Sequence, residues 1–216
     1  MKIVEEQVTI PIDPVRLDGS LVIPEGAAAI VVFAHGSGSS RHSPRNKFVA
    51  EILHKSGIGT LLFDLLTRKE DAVYENRFDI PLLTDRLKGA TAWVKSRPLT
   101  KNLNIGYFGA STGTASALRV AANPKMDIKA VVSRGGRPDL AEEVLPIIKV
   151  PTLLIVGGLD HIVIQLNEKA FAMIRAEKEL NIVRGATHLF EEPGALEEVA
   201  RVATEWFKKY LIIKTT

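Results

Sequence analysis

Ser111, Asp160 and His188 are the residues whose types and surroundings suit nucleophilic chemistry. A serine hydroxyl is a weak nucleophile at neutral pH, so it needs a neutral imidazole within hydrogen-bond reach to take its proton. The imidazole in turn needs a carboxylate, which fixes its tautomer and stabilises the cation that forms. Ser111 stands in Gly109-Ala110-Ser111-Thr112-Gly113, a G-x-S-x-G pattern. Residues 103 to 108 before it read as an apolar strand, and Ala115, Ala117, Ala121 and Ala122 after it read as a slim helix able to lie close on a sheet. A strand, a sharp turn and a helix are the setting in which this pattern lifts a hydroxyl clear of a sheet. The turn strains the serine backbone and brings its flanks together, so side chains at Gly109 and Gly113 would clash. Without those flanks the same five residues would read as an ordinary Gly/Ser loop.

The competing residues are weaker. His42 and His54 fall in a loop and a helix remote from the turn and read as solvated surface. His161 neighbours Asp160 on a tight loop, where adjacent side chains point different ways. Asp139 is the fallback carboxylate, but it reads better as an N-cap for a helix starting at Leu140. Acyl transfer also needs donors for the developing oxyanion, each worth roughly 3 kcal/mol. The backbone N–H groups of Thr112, next after the nucleophile, and of Ser37, in the glycine-rich loop His35-Gly36-Ser37-Gly38-Ser39-Ser40, are the candidates. A phosphate-binding reading of that loop is weak. It offers only G-x-G, with Arg41 where a third glycine would stand, and no Gly-Lys-Ser/Thr follows.

These residues must be carried by a common frame, and the hydropathy pattern supplies one. Residues 7–12 and 15–23 alternate β-formers with polar residues and read as an antiparallel pair at a sheet edge. The run 28–34 is continuously apolar, as a strand covered on both faces must be. A helix from Pro44 to Lys55, a buried strand over 58–66, an irregular charged loop over 67–79 and a helix over 79–97 precede the Ser111 turn. After it come a strand over 128–133, a loop over 134–139 with a short helix to Leu145, a strand over 152–156, a helix over 166–177, a strand over 179–183 and an amphipathic helix over 194–210. Its apolar residues read as cover for the sheet, with a dimer contact as the lesser reading. Strand and helix alternate from residue 28 onward, which dictates a doubly wound, mostly parallel α/β sheet with an antiparallel N-terminal edge. Ligands in such sheets sit at the carboxyl ends of the strands. His35-Gly36-Ser37, Ser111, Asp160 and His188 all fall there.

Composition bounds the rest. The 216 residues suit a single α/β domain spanning 1–216, with 46% hydrophobic and 25% charged residues, typical of a soluble protein. A net charge of +3 with interleaved signs suggests no nucleic-acid partner. No apolar run reaches the length of a membrane span, so the expected compartment is the cytoplasm. Cysteine is absent, which excludes disulfides, thiolate metal sites and a cysteine nucleophile. No metal or organic cofactor is implied.

From residue 28 onward the chain resembles the α/β-hydrolase fold, in particular the small dienelactone-hydrolase-like branch without a cap domain. The passages that carry the resemblance are 35–41, 109–113, 133–140, 157–160 and 185–194. It implies the chain order Ser111, Asp160, His188 for the triad, which is the order this fold uses. Dienelactone hydrolases proper use a cysteine nucleophile, whereas Ser111 stands here, so general carboxylester hydrolysis is favoured over that substrate. The expected function is hydrolysis of small or short-chain esters at an open, shallow site through an acyl-enzyme. A thioesterase, acyltransferase or peptidase would use the same residues, and a ligand-binding protein without turnover is the reading from another class. His35, Arg134 and Arg137 are candidates for substrate contact, with a solvated loop as the better reading of the two arginines. Monomer and homodimer are both left open.

Overall fold

The computed structural model describes residues 2–212. Eight strands form one sheet: β1 (Ile3–Ile12), β2 (Val15–Pro24), β3 (Ala29–Ala34), β4 (Gly59–Phe63), β5 (Asn104–Ala110), β6 (Ile128–Arg134), β7 (Thr152–Gly157) and β8 (Lys178–Val183). Their spatial order is β1-β2-β4-β3-β5-β6-β7-β8. β1 pairs antiparallel with β2, and β2 with β4; the remaining pairs are parallel. Every residue of β3, β4 and β7 is buried, which is why these runs show no polar alternation.

Helices α1 (Pro44–Lys55) and α6 (Ala195–Leu211) cover one face of the sheet, where Val49, Leu53, Val199, Ala203 and Phe207 pack on Phe33, Phe108 and Val132. Helices α3 (Ile80–Ser96), α4 (Thr112–Ala121) and α5 (His161–Met173) cover the other, with Leu83, Leu87, Leu118 and Ala170 against Val32, Tyr107 and Leu154. α2 (Arg68–Asp71) is a single turn at the rim. The apolar face of α6 thus lies on the sheet, as its pattern indicated.

Strand order decides where a site can form. From β3 the chain moves outward to β4, then returns across to β5 on the other side of β3. The connections therefore diverge between β3 and β5 and leave a crevice at their carboxyl ends, the switch point where α/β sheets take ligands. The loop after β3 and the turn after β5 meet there.

Several boundaries differ from the sequence reading. β1 begins at Ile3, and β4 stops at Phe63 rather than Leu66. The segment read as irregular over 67–79 contains α2, held by a capping box between Thr67 and Glu70, then a 3-10 turn over Tyr74–Phe78. α5 spans 161–173 in place of 166–177, and Ile174 leaves it in extended conformation as a fully buried residue. The segment Pro138–Ile147 is 3-10 and kinked at Ala141.

Candidate active site

Ser111 lies between β5 and α4 with φ 48° and ψ −121°, one of three non-glycine residues with positive φ among the described residues. Such a backbone is strained by about 1–3 kcal/mol and persists only where its surroundings dictate it. Two close approaches dictate it here. A Cβ on Gly113 would stand 2.1 Å from the Ala34 carbonyl oxygen, and one on Gly109 would stand 2.6 Å from Thr114 Cα. Only glycine lets the start of α4 press against the end of β3. Gly36 abuts the serine itself, since a Cβ there would lie 2.9 Å from Ser111 Cβ.

Asp160 and His188 are brought together across 28 residues of chain. His188 Nδ1 lies 2.6 Å from Asp160 Oδ2, and the two side chains are 39% and 15% exposed. The turn after β7 is zipped to the loop after β8: Gly158 N–H donates to the Val183 carbonyl at 2.8 Å and Leu159 N–H to that of Ala186 at 2.9 Å. A Cβ on Gly157 would meet the Thr187 carbonyl oxygen at 2.4 Å, so glycine is again what permits the approach. Asp160 occupies the N-cap of α5 yet makes no side-chain cap bond, because its carboxylate is turned to His188.

One loop carries both halves. Ser111 N–H donates to the Arg134 carbonyl at 3.3 Å, and Arg137 N–H donates to the Ser111 carbonyl at 3.1 Å. Between them sits Gly135, whose Cβ, if present, would be 3.3 Å from His188 Cε1. The imidazole therefore borders the same short loop that cradles the serine. Ser111 Oγ has no hydrogen-bond partner among the described residues. In unliganded sites such bonds are commonly long and tighten when substrate arrives.

Of the two amides expected to face an oxyanion, Thr112 N–H has no acceptor among the described residues, whereas Ser37 N–H donates to Thr112 Oγ1 at 3.0 Å. The threonine hydroxyl thus holds the loop after β3 over the start of α4.

His35, a candidate for substrate contact, has a different place. It is 8% exposed, its Nε2 accepts from Leu65 N–H at 3.0 Å, and Nδ1 lies 3.0 Å from the Gly36 carbonyl oxygen. These bonds require the neutral Nδ1–H tautomer, and burial holds the imidazole below its ordinary pKa. His35 fastens the loop to the chain beyond β4. Arg137 is held by a two-bond pair with Asp139, at 2.9 and 2.7 Å, which raises its pKa. Asp139 accordingly neither caps a helix nor reaches His188. Arg134 is not solvated: it is 7% exposed, with its guanidinium 5.8 Å from the Phe190 ring. His54 is likewise not free surface, since Nε2 lies 2.7 Å from Thr60 Oγ1; His161 is exposed. Among the described residues no cluster of three or more His, Asp or Glu could hold a metal ion, and no helix is long and apolar enough to cross a membrane.

The sequence matches the dienelactone hydrolase family over residues 17–212. The chain belongs to that family. Its sheet, with antiparallel N-terminal strands and helices on both faces, is the α/β-hydrolase architecture of this family. A crystal structure of a dienelactone hydrolase from Anabaena variabilis is 54% identical, with TM-score 0.94 over 98% of this chain and all of that one. Est1E from Butyrivibrio proteoclasticus, also solved with ferulic acid bound, shares the fold at 16% identity, with TM-scores of 0.81 and 0.82 over 94% and 95% of this chain and 98% and 100% of those chains. Two Mycobacterium tuberculosis relatives, provisionally named phosphoribosyl transferases, are 54% identical over 207 residues, which is 96% of this chain and 47% of theirs. The chain therefore spans about half the length of these curated relatives.

Within a dienelactone-hydrolase-family site, the Ser37–Thr112 bond and the His35 clip escaped sequence reasoning. Both join residues far apart in the chain, and no local pattern announces them. The burial of Arg134 was missed for a similar reason, because the cover comes from Phe190, in the loop after β8.

Proposed function

We propose that this chain is a serine hydrolase of small or short-chain carboxylic esters. Ser111 attacks the ester carbonyl, and His188 takes its proton and then passes it to the leaving alcohol. Asp160 orients the imidazole and stabilises its cation. The oxyanion is held by Thr112 N–H and by Ser37 N–H, which turns from the Thr112 hydroxyl to the substrate oxygen. Water, activated by the same histidine, then releases the acid.

The observation that carries this reading is the 2.6 Å bond from His188 Nδ1 to Asp160, set beside a serine held at positive φ. Neither feature is what local structure alone would select. The aspartate forgoes a cap bond worth about 1 kcal/mol, and the serine bears strain. Both make sense as preparation for nucleophilic attack. The phosphoribosyl transferase name belongs to chains about twice this length, and nothing in the geometry described above calls for that chemistry. Hydrolysis of 4-nitrophenyl esters from acetate to laurate tests the reading. The expected profile peaks at the short acyl chains and disappears in Ser111→Ala. A clear rise in kcat/KM toward long chains, or activity that persists in Ser111→Ala, would overturn it.

A further inference from the structure

Asn167 lies on α5, whose buried residues are Val163, Asn167 and Ala170. That spacing is the core-facing stripe of an amphipathic helix, where an apolar side chain is expected in the middle position. The asparagine that stands there is fully buried. Its Nδ2 donates to the Val163 carbonyl at 2.8 Å and to the Gly136 carbonyl at 3.0 Å, whereas Oδ1 is buried without a partner. Two carbonyl acceptors fix which way the amide points, because only its NH2 end can serve both. A buried oxygen left unbonded costs stability, so packing alone would favour leucine at this position. What the asparagine adds is a donor, and the Gly136 bond is the one that leaves the helix.

Gly136 occupies the loop after β6, between Gly135, which borders His188, and Arg137, whose N–H holds the Ser111 carbonyl. No backbone donor reaches its carbonyl among the described residues. From below, Gly136 rests on Thr114 of α4 and Ser133 of β6, buried residues whose hydroxyls lie 3.1 Å apart, and a Cβ on it would strike both. From α5 it is fastened by Asn167. Asp160 caps that same helix, seven residues before Asn167 and therefore about two turns away on the same side. The loop that holds Ser111 is thus tied to the helix that presents Asp160.

We propose that Asn167 is a positioning residue for the triad: its amide ties loop 134–137 to α5 and so sets the Asp160–His188 pair against Ser111. The kinetic consequence rests on the ester-hydrolase reading, whereas the tie between loop and helix does not.

The test uses two replacements and one control. Asn167→Leu fills the space with no polar atom and loses both bonds. Asn167→Ser is the milder variant, since its hydroxyl returns to the Val163 carbonyl as helix serines do and is too short to reach Gly136. Ala170→Gly trims the same buried stripe without touching the loop and should lower Tm. For 4-nitrophenyl acetate, kcat should fall by about 10- to 100-fold in both Asn167 variants, with KM changed by less than about threefold. The control should keep kcat within about threefold of the parent. Amide hydrogen exchange followed by NMR reads the tie without turnover. The Ser111 and Arg137 amides, bonded to the Arg134 and Ser111 carbonyls, should exchange at least about tenfold faster in the Asn167 variants and at the parent rate in the control. A folded Asn167→Leu or Asn167→Ser with kcat within about threefold of the parent overturns the proposal, as does an equal loss in Ala170→Gly. Unchanged exchange at both amides refutes it whatever the kinetics. Should the parent hydrolyse no ester, that reading fails by itself and the exchange rates alone decide the role of Asn167.

Discussion

Replacing Gly113 by alanine tests whether the crevice between β3 and β5 is held closed by bare backbone. The added Cβ would lie 2.1 Å from the Ala34 carbonyl oxygen and 2.6 Å from that of His35, where ordinary contact begins near 3.4 Å. The obstacle is main chain on both sides, so no side-chain rotation relieves it. The end of β3 and the start of α4 must part by about 1.3 Å, the difference between those distances. Crowding of this kind costs about 1–3 kcal/mol of stability. In a protein of this size that lowers Tm by about 2–4 °C per kcal/mol. The kinetic loss is larger, because the parting separates Ser37 from Thr112 and moves both amides relative to Ser111. Misplacement of catalytic groups by about 1 Å costs on the order of 10²-fold. The assay is kcat/KM for 4-nitrophenyl acetate beside a thermal melt. Gly57→Ala is the control: its φ is +75° with nothing within 4 Å of a Cβ, so it strains the backbone without touching the crevice. It should lower Tm and leave kcat/KM unchanged. Gly113→Ala with activity within threefold of the parent would refute the claim that this contact positions the site.

Two further predictions follow from named bonds. Asp160→Asn keeps the shape but lets the imidazole adopt the wrong tautomer, so kcat should fall by about 10⁴ with KM little changed; steady-state kinetics check this, and a loss below tenfold would contradict the assigned role. His35 is held neutral chiefly by burial, against the opposing pull of the Gly36 carbonyl and of Asp64 and Asp71. Its folded pKa is depressed, so the unfolded chain takes up a proton below about pH 6.5 while the folded chain does not. Its contribution to stability is complete above about pH 6.5 and is lost as pH falls toward the folded pKa, by at most about 1.4 kcal/mol per pH unit. Urea unfolding between pH 7.5 and 5 should show a shallower decline in His35→Gln, whose amide oxygen can accept from Leu65; an identical slope would contradict it.

The frame of this protein was legible because burial leaves a plain mark. A strand covered on both faces is almost entirely apolar, so 28–34 could be read as β3, and the glycines around Ser111 announced a turn too tight for side chains. The start of α5 was illegible for an instructive reason. Asp160 at its N-cap would normally signal the helix by capping it, but the carboxylate is committed to His188 instead. α2 was a different matter, since Thr67 and Glu70 form a capping box that the sequence displayed. The charged run around it concealed the signal. Arg134 and Arg137, three residues apart, look alike in sequence, and only the tertiary neighbours separate them: Asp139 claims one, and Phe190 buries the other.

The central claim is that Ser111 is an activated nucleophile. The most direct measurement is the intact mass of the protein after treatment with a fluorophosphonate, for the parent and for Ser111→Ala. The account predicts a single adduct on the parent and none on the variant. A folded parent that takes no adduct, or a variant that still takes one, would contradict it.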